Sequence, residues 1–239
     1  MFDVIAFDAD DTLWHNEPIY RGTQRRIVEI LARYHDAAWI ESRMYETEIR
    51  NLENYGYGLK GFTLSMIETA IELTDGQISG AEIGQMIDLA RDALRAPVVL
   101  LDGVVEVIEA LAPSHALMLI TKGDLFEQEA KIIRSGLADR FRAIEIVRTK
   151  VRETYETLAV RHGFRPERFL MVGNSLRSDI LPVLEMGGRA VHIPYETTWA
   201  HEVVPEEELV GKEFFRLAHI RELPALIHSL CDPLCDRRT

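Results

Sequence analysis

The placement of apolar runs along the chain constrains its fold more than any other feature. Val4 to Phe7, Ala116 to Ile120, Ala143 to Val147, Phe169 to Val172 and Ala190 to Ile193 are short, rich in apolar residues and bounded by polar or turn residues. Such runs suit strands buried on both faces of a parallel sheet. Phe214 to Leu217 offers a possible sixth. From Ala116 onward helical patterns separate the runs. One should start near Leu125 and end before Gly136, and another should run from about Val151 to His162 with Gly163 as its stop. A third is expected from about Asp179 to Met186, stopped by Gly187-Gly188. Strand and helix in alternation imply an α/β fold whose parallel sheet is flanked by helices.

The interval between the first two runs is different. From about Glu17 to Pro97 the patterning is helical throughout. Leu64, Ile67 and Ile71 share one helical face, and Ser79-Gly80-Ala81-Glu82 has capping-box spacing before Ile83, Met86, Ile87 and Leu94. Roughly 80 residues far exceeds what a crossover between parallel strands requires. The economical reading is an inserted all-helical domain over residues 16–97, sitting over the tip of the first strand, with 1–15 and 98–239 forming a discontinuous α/β core.

Charge narrows the partners. The 239 residues include 39 acidic and 27 basic ones, a formal charge of −12. This disfavours nucleic acid, which requires a clustered basic face, but not an anionic small molecule met by a cation and a few positioned donors. No apolar run reaches membrane-spanning length, and the acidic N-terminus Phe2-Asp3-Val4-Ile5-Ala6-Phe7-Asp8 does not resemble a signal peptide. Two cysteines, Cys231 and Cys235, are expected to be ordinary tail thiols in a reducing cytoplasm. A monomer or small homodimer is expected.

In a parallel α/β sheet, ligands bind beyond the carboxyl ends of the strands. Here each end carries a different chemistry. The first continues as Asp8-Ala9-Asp10-Asp11-Thr12. Residues two apart on an extended segment share a side, so Asp8 and Asp10 can face one site. Neighbouring carboxylates repel unless a cation compensates them, which suggests a divalent metal, a nucleophile with a proton donor, or both. A solvated loop that caps a helix would read the same. The second end is Thr121-Lys122-Gly123-Asp124, a hydroxyl beside a helix start and so a small anion site, or simple turn chemistry. The third is followed by Thr149-Lys150, with Tyr155 beyond; Lys150 is a positive charge over the site or a surface lysine. The fourth runs Gly173-Asn174-Ser175-Leu176-Arg177-Ser178-Asp179, and Asp179 is a third carboxylate or a helix cap. Each bland reading stands alone. Four ends delivering carboxylates, hydroxyl, ammonium and acid in order make the joint reading stronger.

Over nearly the whole chain these residues resemble the haloacid dehalogenase (HAD) superfamily. Phe7-Asp8-Ala9-Asp10-Asp11-Thr12-Leu13 is similar to its first motif, Thr121 to its second, Lys150 to its third and Gly173 to Asp179 to its fourth. The helical insertion occupies the place of that family's cap between motifs one and two. The resemblance implies a Rossmann-like HAD core and the activity of a phosphoric monoester hydrolase. Asp8 would attack phosphorus and carry an aspartyl-phosphate, and Asp10 would protonate the leaving oxygen and then deprotonate water. Thr121 would hold phosphoryl oxygens, Lys150 would offset charge, and Asp179 would bind Mg2+ with Asp8 and the Asp10 backbone carbonyl. The fourth motif often carries Asp where this chain has Asn174, an amide that can still ligate or orient a metal-bound water without adding charge.

The resemblance also ranks rivals. Members that displace halide from carbon lack a carboxylate two residues after the nucleophile, so Asp10 favours a phosphatase acting on a small phosphorylated metabolite. A sugar phosphomutase shares that carboxylate and is the nearest alternative; a non-enzymatic interaction protein on the same fold is another. Substrate contacts are expected from Lys122, from Trp14 and His15 after the first motif, and from the Tyr55 to Phe62 segment with Lys60, which could equally be a packed turn between helices. His162 and His192 show no ligand spacing and are expected at the surface or as structural residues.

Overall fold

The computed structural model describes residues 2–231. Cys235 lies outside them. Six strands, β1 (Val4–Phe7), β2 (Ala116–Lys122), β3 (Ala143–Val147), β4 (Phe169–Gly173), β5 (Arg189–His192) and β6 (Phe215–Arg216), form one parallel sheet in the order β3-β2-β1-β4-β5-β6. The chain lays strands to one side of β1 and then returns to build on the other, so the order reverses between β1 and β4. Phe7 at the end of β1 is in register with Leu119 of β2 and Val172 of β4. The residues that follow these strands therefore emerge at one sheet edge, at the switch point where such folds bind ligands.

Side chains of β1 alternate between two cores. Ile5 and Phe7 join a cluster with Leu117, Leu119, Leu170 and Val172, while Val4 and Ala6 join Met118, Ile120, Phe169 and Met171 on the opposite face. This period of two explains why β1 and β4 read as continuous apolar runs: both of their faces are buried.

The chain divides into two compact units. One comprises residues 1–15, 98–122 and 132–239, and the other residues 16–97 and 123–131. The second is helical, with α1 (Glu17–Leu31), α2 (Ala37–Tyr55), α3 (Leu59–Leu73) and α4 (Gly80–Arg95). Its core includes Ile27, Leu31, Ile40, Met44, Phe62, Met66, Ala70 and Met86. Ser79 and Glu82 form the reciprocal capping box at the start of α4. The face that Leu64, Ile67 and Ile71 share on α3 is only partly buried, through Ile67. Leu64 and Ile71 are exposed, whereas Leu59, Phe62, Met66, Ala70 and Leu73 point inward. The apolar residues of α3 spread over more than half of its circumference, so periodicity alone could not choose which part of that arc is buried.

The remaining helices follow the strands in the chain: α5 (Val104–Leu111), α6 (Leu125–Ser135), α7 (Arg152–His162), α8 (Leu181–Glu185), α9 (Glu206–Leu209) and α10 (Leu223–Cys231). The division falls inside α6. Its first half, which the sequence places in the α/β core, clusters with the helical unit. There Glu127 accepts a bond from the Leu59 backbone N–H at 2.8 Å, Lys131 reaches Asn16 at 3.0 Å, and Lys60 pairs with Asp124 at 2.8 Å. Gly58, at φ 119, permits this approach, since a Cβ there would lie 3.0 Å from both Asp124 Cβ and Glu127 Oε2.

The helix expected from Asp179 also differs. A wide π-helical turn covers Leu176–Ile180 before α8 begins. Pro182 has no N–H to give to the carbonyl four residues earlier, that of Ser178. The buried Tyr155 hydroxyl donates to that carbonyl instead, at 2.9 Å. Among the described residues no helix is long and apolar enough to cross a membrane.

Candidate active site

After β1 the chain turns back sharply. Asp11 adopts φ 61, a left-handed conformation that is costly for a non-glycine residue, and the Asp11 N–H bonds the Trp14 carbonyl at 2.8 Å. This reversal returns the indole to its neighbour, and Trp14 Nε1 donates to Asp10 Oδ1 at 2.7 Å. Trp14, expected to touch substrate, is itself fully buried in the α/β core. Its reach to the site is through Asp10.

Asp8, Lys150 and Asp179 form the centre. Lys150 Nζ donates to Asp8 Oδ1 and, at 2.7 Å, to Asp179 Oδ1. Asp179 Oδ2 accepts the Ser175 N–H at 3.0 Å. The Thr12 hydroxyl hydrogen is shared between Asp8 Oδ2 at 3.0 Å and Asn174 Oδ1 at 3.1 Å, and its oxygen accepts the Asn174 N–H. The main chain of Asn174 is pinned again from behind, because His192 Nε2 donates to its carbonyl at 3.0 Å. Burial lowers the His192 pKa, which keeps the ring neutral. Gly173 is required by the close approach of Asp179: a Cβ at this position would overlap the carboxyl.

Two carboxylates against one ammonium leave one negative charge in excess. Burial pushes the Asp8 carboxyl up to about 7, opposed by Lys150 and assisted by the charges of Asp179 and Asp10. Burial pulls the Lys150 ammonium down, but Asp179 and Asp8 outweigh it and hold the group above its ordinary value. A buried centre with surplus negative charge and hard oxygen donors fits a divalent cation. Asp8, Asp179, Asn174 and the Asp10 carbonyl could hold it. Among the described residues no group of three or more His, Cys, Asp or Glu side chains gathers as a ready-made metal cage.

Thr121 lies at the buried carboxyl end of β2. The neighbouring Lys122 turns to Ser178 Oγ at 2.8 Å and to the carboxylate of Glu202, a residue that no sequence signal picked out. Ser175 and Ser178 also bond Glu202. Lys60 belongs to the helical unit, where it pairs with Asp124 and lies 5.4 Å from the Phe126 ring centroid. Of the neighbouring segment, Phe62 is buried in that unit's core against Tyr20, and Tyr55 is exposed. His15 Nδ1 lies 2.6 Å from the Tyr195 hydroxyl.

The family model of haloacid dehalogenase-like hydrolases matches residues 2–187. A haloacid dehalogenase-like family hydrolase from Xanthomonas campestris superposes with a TM-score of 0.87 at 39% identity, covering 100% of this chain and 95% of its own. A predicted phosphoglycolate phosphatase from Haemophilus somnus 129pt gives 0.64 at 18% identity, covering 95% and 98% of the two chains. The L-2-haloacid dehalogenase of Xanthobacter autotrophicus also gives 0.64, at 15% identity over 97% and 100%. None of the curated proteins compared matches the sequence. The six-stranded parallel sheet, the motif residues at its switch point and the match over most of the sequence lead to one conclusion: the chain belongs to the haloacid dehalogenase-like hydrolase family.

Proposed function

We propose that this hydrolase is a magnesium-dependent phosphatase that cleaves a small phosphorylated metabolite through an aspartyl-phosphate on Asp8. The observation that carries the reading is Asp10 held by Trp14 at 2.7 Å. A halide leaves carbon as a stable anion and needs no acid. An alkoxide leaving phosphorus does, and Asp10 stands two residues beyond the nucleophile to supply the proton. The indole is a donor only, so Oδ1 is its acceptor and the transferable proton belongs on Oδ2.

The Asp8 carboxylate attacks phosphorus as the ester P–O bond breaks. The bonding pair leaves with the ester oxygen, which takes the Asp10 proton. Asp10 then accepts a proton from water as that water attacks the aspartyl-phosphate, releasing inorganic phosphate and restoring Asp8. Lys150 holds Asp8 in line and offsets charge, and the Thr121 hydroxyl meets the phosphoryl oxygens. The bound cation supplies the remaining neutralisation of phosphoryl charge.

The test is release of phosphate from p-nitrophenyl phosphate, then from a panel of phosphorylated metabolites, with Mg2+ and with EDTA. We expect turnover only with Mg2+, none in Asp8→Asn, and a loss of about 10²-fold or more in Asp10→Asn. Metal-independent chloride release from 2-chloropropionate without phosphate release would replace this reading with a dehalogenase. Isomerisation of a sugar phosphate without free phosphate would replace it with a phosphomutase.

A further inference from the structure

We infer that Glu202 is a positioning residue that fixes the cation side of the active site through the Ser175–Asp179 turn. The inference rests on the phosphatase reading and names a residue outside the four motifs. Glu202 lies in the segment after β5 and is buried. Its carboxylate gathers three donors: Lys122 Nζ, Ser175 Oγ, and Ser178 Oγ at 2.8 Å.

The directions of these bonds leave no freedom. A serine hydroxyl has one hydrogen, and a carboxylate can only accept. With its hydrogen on Glu202, Ser175 Oγ must turn a lone pair to the Ser178 N–H, which it accepts at 3.0 Å. Ser178 Oγ, likewise committed as donor to Glu202, must accept from Lys122, as it does at 2.8 Å. Glu202 thus sets the Ser175 side chain as the cap of the turn, while the Ser175 backbone N–H holds Asp179 Oδ2 at 3.0 Å. The turn is π-helical, and Pro182 withholds the N–H that would have met the Ser178 carbonyl, which takes the Tyr155 hydroxyl at 2.9 Å instead, so the Glu202 bonds to Ser175 and Ser178 act on the side-chain half of the same turn. Burial raises the Glu202 pKa, but Lys122 and the two hydroxyls outweigh it and bring the group to about 2, so its carboxylate accepts all three bonds in the charged form. Glu202 touches neither Asp8 nor Asp179. It acts on the cation through the geometry of the turn.

The experiment compares Glu202→Ala, Glu202→Gln and Ser178→Ala in the full chain. Mn2+ binding without substrate is read by electron paramagnetic resonance, and the Mg2+ dependence of p-nitrophenyl phosphate hydrolysis is read beside it. We expect both Glu202 variants to weaken Mn2+ binding roughly tenfold, the size of one lost charge-assisted hydrogen bond. The Mg2+ half-saturation should rise in step, with kcat recovering at saturating Mg2+. Ser178→Ala should shift both in the same direction by less, and it decides the matter if the Glu202 variants do not fold. Unchanged Mn2+ affinity in folded variants, even with a lower Tm, overturns the inference. A wild-type chain that neither binds Mn2+ nor releases phosphate overturns the phosphatase reading itself, a different and recognisable failure.

Discussion

Asn174 places an amide oxygen 3.1 Å from the Thr12 hydroxyl, beside two carboxylates that already exceed their one ammonium. Its neutrality has consequences in both directions. Asn174→Asp adds a charge that draws a divalent cation and, without one, repels Asp8 and Asp179 in a buried space. We expect Mn2+ affinity to rise several-fold, while stability in EDTA falls by about 1–3 kcal/mol, both measurable on one preparation by titration and chemical denaturation. Trp14 has a separate role. Replacing it with Phe keeps most of the packing but removes the Nε1–H that holds Asp10. We expect kcat to fall about tenfold or more at saturating Mg2+, with Mn2+ affinity unchanged, because the lost bond serves proton transfer and not the cation. An equal loss in both readouts would assign Trp14 to folding alone.

Helices α1 and α2 bring the carboxylates of Glu17, which pairs with Arg21 at 3.1 Å, and Glu48 close enough to interact. Burial pushes Glu48 up to about 7, and the charge of Glu17 adds to the rise. The sign for stability follows. Between an ordinary glutamate value near 4.5 and the folded value near 7, the folded chain holds a proton that the unfolded chain has released. Stability contributed by this group is therefore full below that window, declines as pH rises through it and is level above. Glu48→Gln should remove this slope and make the chain more stable at pH 8 by up to about 3 kcal/mol, while changing little at pH 4. Urea unfolding of both proteins at the two pH values gives the answer. Sequence periodicity could not have disclosed the pair, since the two glutamates lie on different helices and only packing joins them. The same limit applies to α3, whose broad apolar arc left its buried part undetermined.

On the scale of the molecule, what could be read from sequence was contiguous. The central strands are runs rich in apolar residues; Thr121 lies at the end of β2, and Asp8 and Asn174 directly follow β1 and β4, so parallel register carries these residues to one edge, with Asp179 brought in by the turn after β4. What was hidden depends on the chain returning from far away. Glu202 comes back 24 residues after Ser178 from a glutamate-rich stretch with no distinguishing pattern. Residues 123–131 look like an ordinary helix start after a strand, yet Glu127, Lys131 and Asp124 bond residues of the helical unit. A fragment spanning 16–97 would therefore lack the acceptor for the buried Leu59 N–H and the partner of Asn16. We expect it to show lower helicity by circular dichroism and no cooperative melt, whereas supplying 123–136 as a peptide in trans should raise its helicity. The divided allegiance of α6 bears on how such proteins can diversify. A recombination event that exchanged only the long insertion between two homologues would deliver an orphaned bundle, so productive chimaeras must inherit the short downstream stretch from the same parent.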